Sequence, residues 1–352
     1  MESGAPYVQT VLGPVDPSEI GHTLMHEHLV ADWAYGTGRA PQLTNIEVVP
    51  QVVDCMEAAA RVGVGTVVDV STEMFALNPL LVKLAAEQTS VHIVVATGCY
   101  KPLAMPLPSW AYPPAEPEEI ADHLIENCHK GVAGSGIRPG IIKIASDAGV
   151  PVHPVVATIF RGAAMAQKAT GLAITTHTSS PAEAEEHVEI LGEAGADLTR
   201  VVIGHAGLRS GVGGFPLFER LAKAGVGVGF DNFGILRPDE DWAEMALKMV
   251  EAGYIDNVIL SHDMTVFSRG MEGIYEKKTR KDVNFVDLPP ADKIPKTLTE
   301  GDFTLIHTRL LPLLRKGGLD EAAIDHMLVK NPRRILTIDP SRYPNTPGFK
   351  AA

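Results

Sequence analysis

Short apolar segments alternate along the chain with longer segments that have the periodicity of amphipathic helices. Eight of the apolar segments are rich in Val and Ile and are bounded by Gly, Pro or polar turns, which favours strands. Near-continuous apolar strands are typical of a parallel sheet that is covered on both faces. The predicted strands are residues 23–30, 65–72, 91–98, 140–146, 172–179, 200–207, 225–233 and 257–263.

The segments between the strands predict helices, since several begin near Pro or an acidic residue and end at Gly. The predicted helices are residues 50–63, 117–131, 153–171, 181–195, 241–253, 303–318 and 319–336. Eight strands that alternate with helical segments predict an α/β fold of the (β/α)8 TIM-barrel type. Such barrels commonly take about 250 residues plus insertions.

No segment has the composition of an interdomain linker, so we predict one domain over residues 1–352. The Pro-rich stretch 101–119 follows the third strand and is predicted to be a loop. The longest insertion, residues 264–302, follows the eighth strand, and residues 337–352 form a C-terminal tail.

Charge and cysteine content narrow the choice of partners and compartment. The formal net charge of −13 argues against a broad basic face for nucleic acid or an anionic membrane. The three cysteines, Cys55, Cys99 and Cys128, are widely spaced, which suits a reducing compartment. No secretory signal and no run of about 18 uncharged apolar residues is visible. We therefore expect a cytoplasmic protein that acts on a small molecule.

Ionisable residues gather near the carboxyl ends of the predicted strands, where barrel enzymes place their active sites. On the first strand, His26 and His28 would share one face, with Glu27 pointing the opposite way. Lys143 lies inside the fourth strand. The residues near the ends of strands five, six and eight are His177, His205 and Asp263.

Each of these residues also has a purely structural explanation. Lys143 can snorkel to solvent, although lysine is rarely buried unpaired. Its functional alternatives are a Schiff-base amine and a carbamate that bridges two metals. His177 and His205 can be hydrogen-bonded barrel residues, and Asp263 can cap a helix. The structural explanations are less convincing for the whole group, because all these residues would have to lie at the same end of the barrel by coincidence.

Taken together, the HEH triplet, the strand-4 lysine and the polar ends of strands 5, 6 and 8 resemble the phosphotriesterase family of the amidohydrolase superfamily. The resemblance runs from VQTVLGPVDPSEIGHTLMHEHL through LSHD to LVKNPRRIL, nearly the whole chain.

This resemblance implies a binuclear metal centre. His26, His28 and Asp263 would hold one metal ion, and His177 and His205 would hold the second. Lys143, in its N-carboxylated form, would bridge both together with a hydroxide that acts as the nucleophile. Imidazole and carboxylate ligands favour zinc, while iron, cobalt and manganese are also compatible.

The resemblance also implies roles around this centre. Asp263 would take the proton from the attacking hydroxide, and Asp231, in GFDNFG, matches an aspartate that often supports proton removal. A structural, hydrogen-bonding role is the alternative for Asp231. Tyr100, in TGCYKP, matches a tyrosine placed over the substrate, and a rim aromatic without a role is the alternative.

One position departs from the lactonase branch of the family. That branch usually has an arginine after the strand-7 aspartate, where this chain has Asn232. Asparagine is neutral and smaller than the forked guanidinium, so Asn232 is a candidate substrate-binding residue that puts acyl-homoserine lactones in doubt. The 264–302 loop is expected to shape the substrate pocket, and it carries Arg269, Lys277, Lys278 and Arg280. A solvated charge run is the alternative there.

Four functions follow from these residues. The first is a binuclear metal-dependent hydrolase of lactones or carboxylic esters with promiscuous phosphotriesterase activity. The second is an amide or carbamate hydrolase on the same metal site. The third is a Schiff-base lyase that uses Lys143, which would leave the two histidines of the HxH pair without a role. The fourth is a barrel that binds a ligand or a metal without catalysis. The resemblance also allows a homodimer.

Overall fold

The computed structural model describes residues 4–32, 44–75, 77–101, 108–112, 115–146, 149–234, 237–269 and 301–343. A short antiparallel hairpin, β1 (Val8–Thr10) and β2 (Gly13–Val15), comes first and was not predicted. Next to β1, Tyr7 exchanges backbone hydrogen bonds with Ile338, at distances of 2.9 and 2.7 Å. This contact joins the two ends of the described chain.

A sheet of nine parallel strands forms the centre of the molecule. Its members are β3 (His22–Asp32), β4 (Val64–Asp69), β5 (His92–Cys99), β6 (Ile141–Ala145), β7 (Ala173–His177), β8 (Val201–Ile203), β9 (Gly227–Phe230), β10 (Val258–Leu260) and β11 (Thr265–Arg269). Their order in the sheet is β10-β9-β8-β7-β6-β5-β4-β3-β11. Every strand from β3 to β10 therefore lies beside its neighbour in sequence, as in a singly wound barrel.

The two edges of this sheet belong to one stretch of chain. β10 pairs with β9, β11 pairs with β3, and only residues 261–264 separate β10 from β11. Within that short link, the backbone N–H of Asp263 donates to the carbonyl of His26 at 2.9 Å. The sheet consequently closes on itself, and the predicted (β/α)8 TIM barrel is confirmed.

Strand β11 corrects the prediction that a loop begins at residue 264. Residues 265–269 are extended because they pair with the carboxyl half of β3, which is a contact that exists only in the closed barrel. Residues 270–300 of the predicted loop, with Lys277, Lys278 and Arg280, lie outside the described residues.

Helices follow the strands and cover the outside of the sheet. They are α1 (Asn45–Arg61), α2 (Pro79–Ala86), α3 (Pro117–Lys130), α4 (Pro154–Thr170), α5 (Pro181–Glu193), α6 (Ala206–Ser210), α7 (Phe215–Lys223), α8 (Asp239–Glu251), α9 (Leu311–Lys316), α10 (Glu321–Asp325) and α11 (Asn331–Leu336). α2, α6 and α7 were not predicted. None of the helices in the described ranges has the length and apolar character needed to span a membrane.

Two features explain where the predicted helix boundaries fail. Helix α1 begins before Pro50, because Thr44 and Glu47 form a capping box that starts the helix five residues earlier than predicted. The segments predicted as helices 303–318 and 319–336 each contain a π-helical turn, at Ile306–Leu310 and His326–Lys330. The first π-helical turn precedes α9, and the second separates α10 from α11.

The apolar core has two parts, one outside and one inside the sheet. The larger cluster packs the strands against the helices. A smaller cluster contains strand residues such as Val68, Val94, Ile141, Val202 and Ile259, whose side chains meet inside the barrel. Apolar side chains fill the interior of the barrel. The polar site at the carboxyl ends of the strands therefore lies directly against a close-packed apolar core.

Candidate metal centre

Seven polar side chains converge at the carboxyl end of the barrel. They are His26 and His28 on β3, Lys143 on β6, His177 at the end of β7, His205 after β8, Asp231 after β9 and Asp263 in the 261–264 link. Most are almost completely buried, and the most exposed is the Asp263 side chain, at 20%. Asp263 is therefore the member of the cluster with the most contact with solvent.

Three of these residues lie close enough to share one metal ion. One ligand atom from each of His26, His205 and Asp263 lies within 4.8 Å of the others. This group takes members from both ligand sets that the family resemblance implies. The two predicted sets are therefore adjacent in space and form one continuous cluster.

His28 stands beside this group. Its Nε2 lies 3.3 Å from Oδ1 of Asp263, and the Nε2 of His26 lies 3.6 Å from the same oxygen. The other ring nitrogen of His28, Nδ1, lies 2.9 Å from the hydroxyl of Ser71. A contact of this kind fixes the orientation of a ligand imidazole, so Nε2 of His28 is the nitrogen turned toward the site.

His177 and His205 form the opposite side of the cluster. Nε2 of His205 lies 2.8 Å from Nδ1 of His177. His205 has a left-handed backbone, with φ of 64°. The preceding Gly204 has no room for a side chain, because a Cβ there would lie 2.1 Å from the carbonyl oxygen of Thr176. Only glycine lets the chain turn here and bring His205 against His177.

Lys143 is completely buried at the base of the site. Its Nζ lies 2.8 Å from Nε2 of His26 and 3.4 Å from the carbonyl oxygen of Thr176. Burial lowers the pKa of Lys143 to about 8. An amine with this pKa is partly uncharged at neutral pH, and only the uncharged form attacks carbon dioxide or a carbonyl. The snorkelling alternative is wrong, because the side chain has no exposed surface.

Asp231 lies behind two of the histidines. Its Oδ2 is 2.9 Å from Nδ1 of His26, and its Oδ1 is 3.1 Å from Nδ1 of His205 and accepts the backbone N–H of His205 at 2.7 Å. Burial acts to raise the pKa of Asp231, but these histidine contacts hold it well below its usual value. The carboxylate thereby turns the Nε2 atoms of both imidazoles toward the site.

Asp263 and Asn232 are paired at the more exposed side of the site. The Nδ2 of Asn232 donates to Oδ2 of Asp263 at 2.8 Å. Burial opposes ionisation of Asp263, yet His205, His28 and His26 together lower its pKa to about 2. Asn232 is itself buried, so its direct contact is with the Asp263 carboxylate. Substrate binding by Asn232 stays a prediction.

Tyr100 lies beside His177. Its ring packs edge-on against His177, with 5.2 Å between the ring centroids, and it is partly exposed. The residue is therefore next to the cluster, and its contact with substrate stays a prediction.

Sequence reasoning missed the role of Glu27, the residue between His26 and His28. Its completely buried carboxylate accepts hydrogen bonds from Ser261 Oγ at 2.7 Å, from the backbone N–H groups of His262 and Met264 at 2.8 and 3.1 Å, and from His262 Nδ1 at 2.7 Å. All these donors belong to the link that carries Asp263. A charged residue inside a buried strand was the available signal, since such residues are buried only when paired.

The residues at this site suit a divalent cation. Burial and the charge of Lys143 lower the pKa of His26 to about 4, so its imidazole is neutral at pH 7, while Asp263 is ionised. Neutral imidazole and carboxylate oxygen are the ligands that zinc and related metals prefer. Nε2 of His177 is buried and has no hydrogen-bond partner within the described ranges, which is a further reason to expect a bound group here.

Comparison with known proteins gives consistent matches over nearly the whole chain. The model of the phosphotriesterase family matches residues 6–336. A phosphotriesterase homology protein of Mycobacterium tuberculosis is 32% identical, over 94% of this chain and 97% of the relative. The N-acetyltaurine hydrolase of Rattus norvegicus is 27% identical, over 96% of this chain and 99% of the relative.

Solved structures show the same architecture. The phosphotriesterase from Mycobacterium tuberculosis superimposes with a TM-score of 0.78 at 30% identity, over 94% of this chain and 99% of that one. A protein engineered for organophosphate hydrolysis from a weak promiscuous lactonase template gives a TM-score of 0.78 at 28% identity, over 94% and 99% of the two chains.

Proposed function

Because the chain belongs to the phosphotriesterase family, whose members are hydrolases, we propose that it is a metal-dependent hydrolase of lactones or carboxylic esters, with phosphotriester cleavage as a side activity. The observation that carries this proposal is the cluster of His26, His205 and Asp263 above the buried amine of Lys143. The structural similarity to a protein derived from a lactonase supports the choice of substrate class.

The proposed ligands are the six residues that the family resemblance implies. His26, His28 and Asp263 would hold one ion, His177 and His205 the other, and carboxylated Lys143 would lie between them. When bound, two divalent ions supply a water of lowered pKa and polarise the substrate oxygen. We favour zinc, and iron, cobalt and manganese satisfy the same donor atoms.

Asp263 is the proposed proton acceptor. Its low pKa keeps the carboxylate ionised at neutral pH, and the hydrogen bond from Asn232 fixes the orientation of Oδ2. The remaining oxygen, Oδ1, can take the proton from the attacking water and return it to the leaving alkoxide. Asp231 contributes by holding His26 and His205 in place, and Tyr100 excludes water on the His177 side.

A second candidate function is hydrolysis of an amide or carbamate C–N bond. The similarity to an N-acetyltaurine hydrolase over nearly the whole chain favours it. A nitrogen leaving group must be protonated as it departs, and Asp263 would serve as the acid once it has taken the proton from water. The two candidates therefore use the same residues and differ in the bond that is cleaved.

A substrate panel separates the candidates. The metal-loaded protein would be assayed with lactones, aryl esters, N-acyl amides and paraoxon, beside the chelator-treated protein. We expect lactone or ester turnover that disappears when metal is removed. Turnover of amides alone would assign the second function. Metal-independent activity together with borohydride trapping of substrate on Lys143 would replace both with the Schiff-base lyase.

A further inference from the structure

Strained backbone is concentrated around the candidate centre. Four described residues other than glycine have a left-handed backbone, and three of them, Lys101, His205 and Asp263, follow barrel strands at the carboxyl end. Such strain persists where the surroundings demand it, and it is found most often at functional sites. His205 and Asp263 are proposed metal ligands. Lys101, with φ of 35°, is the one member of the three without a role in the proposed function.

The side chain of Lys101 lies over the aromatic ring next to the centre. Its Nζ is 5.7 Å from the centroid of the Tyr100 ring, and that ring packs at 5.2 Å against His177. Lys101 and Tyr100 are partly exposed while His177 is buried. The ammonium group therefore lies on the solvent side of the cluster, at the rim.

A second cation lies near His177 on a different element. Arg209, on α6 and four residues after His205, donates from Nε to the carbonyl oxygen of Thr178 at 3.2 Å and is partly buried. Thr178 directly follows His177. The terminal guanidinium nitrogens of Arg209 make no hydrogen bond within the described ranges, so they are available to an incoming oxyanion.

The positive charges of Lys101 and Arg209 act on His177 in the candidate centre. Burial is the main reason why the pKa of His177 is well below its usual value, and the positive charges of Lys101 and Arg209 lower it further. The chain as a whole has a formal net charge of −13. Two cations at the rim of one buried site oppose that overall charge, and local charge of this kind attracts ligands of opposite sign.

We propose that the substrate carries an anionic group, a carboxylate or a sulfonate, which binds Lys101 and Arg209 while the scissile bond faces Asp263. This inference rests on the proposed hydrolase function. A guanidinium presents a planar fork of donors to an oxyanion, and an ammonium adds a point charge. Neither residue acts on the scissile bond. Their role is to select substrates that carry the anionic group.

Matched esters test the proposal. The substrates are the mono-4-nitrophenyl ester of adipate, its neutral methyl ester and the 4-nitrophenyl ester of 5-sulfopentanoate, each assayed with the metal-loaded protein. We expect kcat/KM to favour an anionic ester over the neutral one by about tenfold, as expected for one charge-assisted contact. The carboxylate and sulfonate arms identify which oxyanion is preferred.

Variants locate the preference on the two residues. Lys101→Gln and Arg209→Gln should each reduce the preference at least about threefold while the neutral ester is still hydrolysed. Arg209→Lys keeps the positive charge and should therefore retain part of the preference for the anionic ester. Lys223→Gln is the matched control, because Lys223 lies in the last turn of α7, before β9, and its side chain is 61% exposed. A preference near one in the unmodified protein, or one unchanged in both Gln variants, would overturn the proposal.

Binding separates failure of this proposal from failure of the proposed function. If no ester is hydrolysed, the proposed ester-hydrolase function fails, and adipate is then titrated calorimetrically into the same metal-loaded proteins. Anion recognition predicts adipate binding that both Gln variants weaken at least about fivefold and that Lys223→Gln leaves unchanged. Absence of binding, or equal binding to all variants, would overturn it independently of turnover.

Discussion

The carboxylate of Glu27 lies 2.7 Å from Nδ1 of His262, and this contact joins strand β3 to the link that closes the barrel. Glu27 alternates along β3 with His26 and His28. One face of the strand therefore supplies the histidines of the candidate centre, and the other face holds the segment that carries Asp263. Closure of the barrel and assembly of the site therefore both depend on strand β3.

Removal of the Glu27 carboxylate should destabilise the fold. We expect Glu27→Ala to lower the free energy of unfolding by about 3–5 kcal/mol, since its buried donors would lose their acceptor. Urea denaturation measures this change. Glu244→Ala is the matched control, because Glu244 is 49% exposed and pairs with the exposed Lys248, a contact worth about 0–1 kcal/mol. Equal losses in the two variants would contradict the role given to Glu27.

Replacement of Asp263 should affect catalysis far more than stability. Asp263→Asn keeps the size of the side chain but removes the charge that accepts a proton, so we expect kcat to fall by about 100-fold or more. The melting temperature of the metal-loaded variant should stay close to that of the parent. Unchanged turnover with an unchanged melting temperature would reject Asp263 as the proton acceptor.

Lys143→Ala should lose metal as well as activity. The variant lacks the group that would lie between the two ions, so we expect it to bind the second ion weakly and to lose nearly all turnover. Metal content is measured after dialysis, with circular dichroism as a check that the barrel is folded. A folded variant that retains both ions tightly would exclude the bridging role.

Acid should destabilise the protein through histidines that lie outside the centre. Burial lowers the pKa of His187 from 6.5 to about 3, and burial and the charge of His22 lower that of His307 to about 4. Well above pH 6.5 these rings are unprotonated in both the folded and the unfolded state, so they add no pH dependence there. Below pH 6.5 the unfolded state alone takes up protons, and stability falls as the pH approaches 4, by up to about 1.4 kcal/mol per pH unit for each histidine.

A variant tests this pH dependence. His187→Gln should reduce the slope of unfolding free energy against pH between 6.5 and 4. His129→Gln is the control, because His129 is exposed in the folded chain. A slope that His187→Gln leaves unchanged would show that His187 is not the source of the acid sensitivity.

The barrel was predictable because its signals are local. Each apolar strand and each longer helix that ends at Gly can be identified from a short window, and eight strands alternating with such helices indicate one fold. Strand β11 was not predictable in this way, because residues 265–269 become extended only by pairing with β3 after closure. The π-helical turns at 306–310 and 326–330 depend on hydrogen bonds that periodicity does not report. The helix start before Pro50 has a local signal, the Thr44–Glu47 capping box, which the periodicity alone did not show.

The clustering of the candidate site residues was predictable, but the contacts among them were not. His26, Lys143 and His205 were predicted to lie together because parallel strands bring their carboxyl ends together. The link from Asp231 to both His26 and His205, and the bond from Asn232 to Asp263, join residues from separate strands and depend on side-chain distances. The single domain over residues 1–352, the cytoplasmic location, the small-molecule substrate and the homodimer stay predictions.

Metal content per chain tests the central claim most directly. Protein grown in metal-replete medium and dialysed without chelator would be analysed by mass spectrometry against its concentration. We predict about two divalent ions per chain, lost with a chelator and restored together with hydrolytic activity. Protein that is folded, free of metal and unable to take up added zinc, iron, cobalt or manganese would contradict the assignment of His26, His28, His177, His205 and Asp263 as ligands.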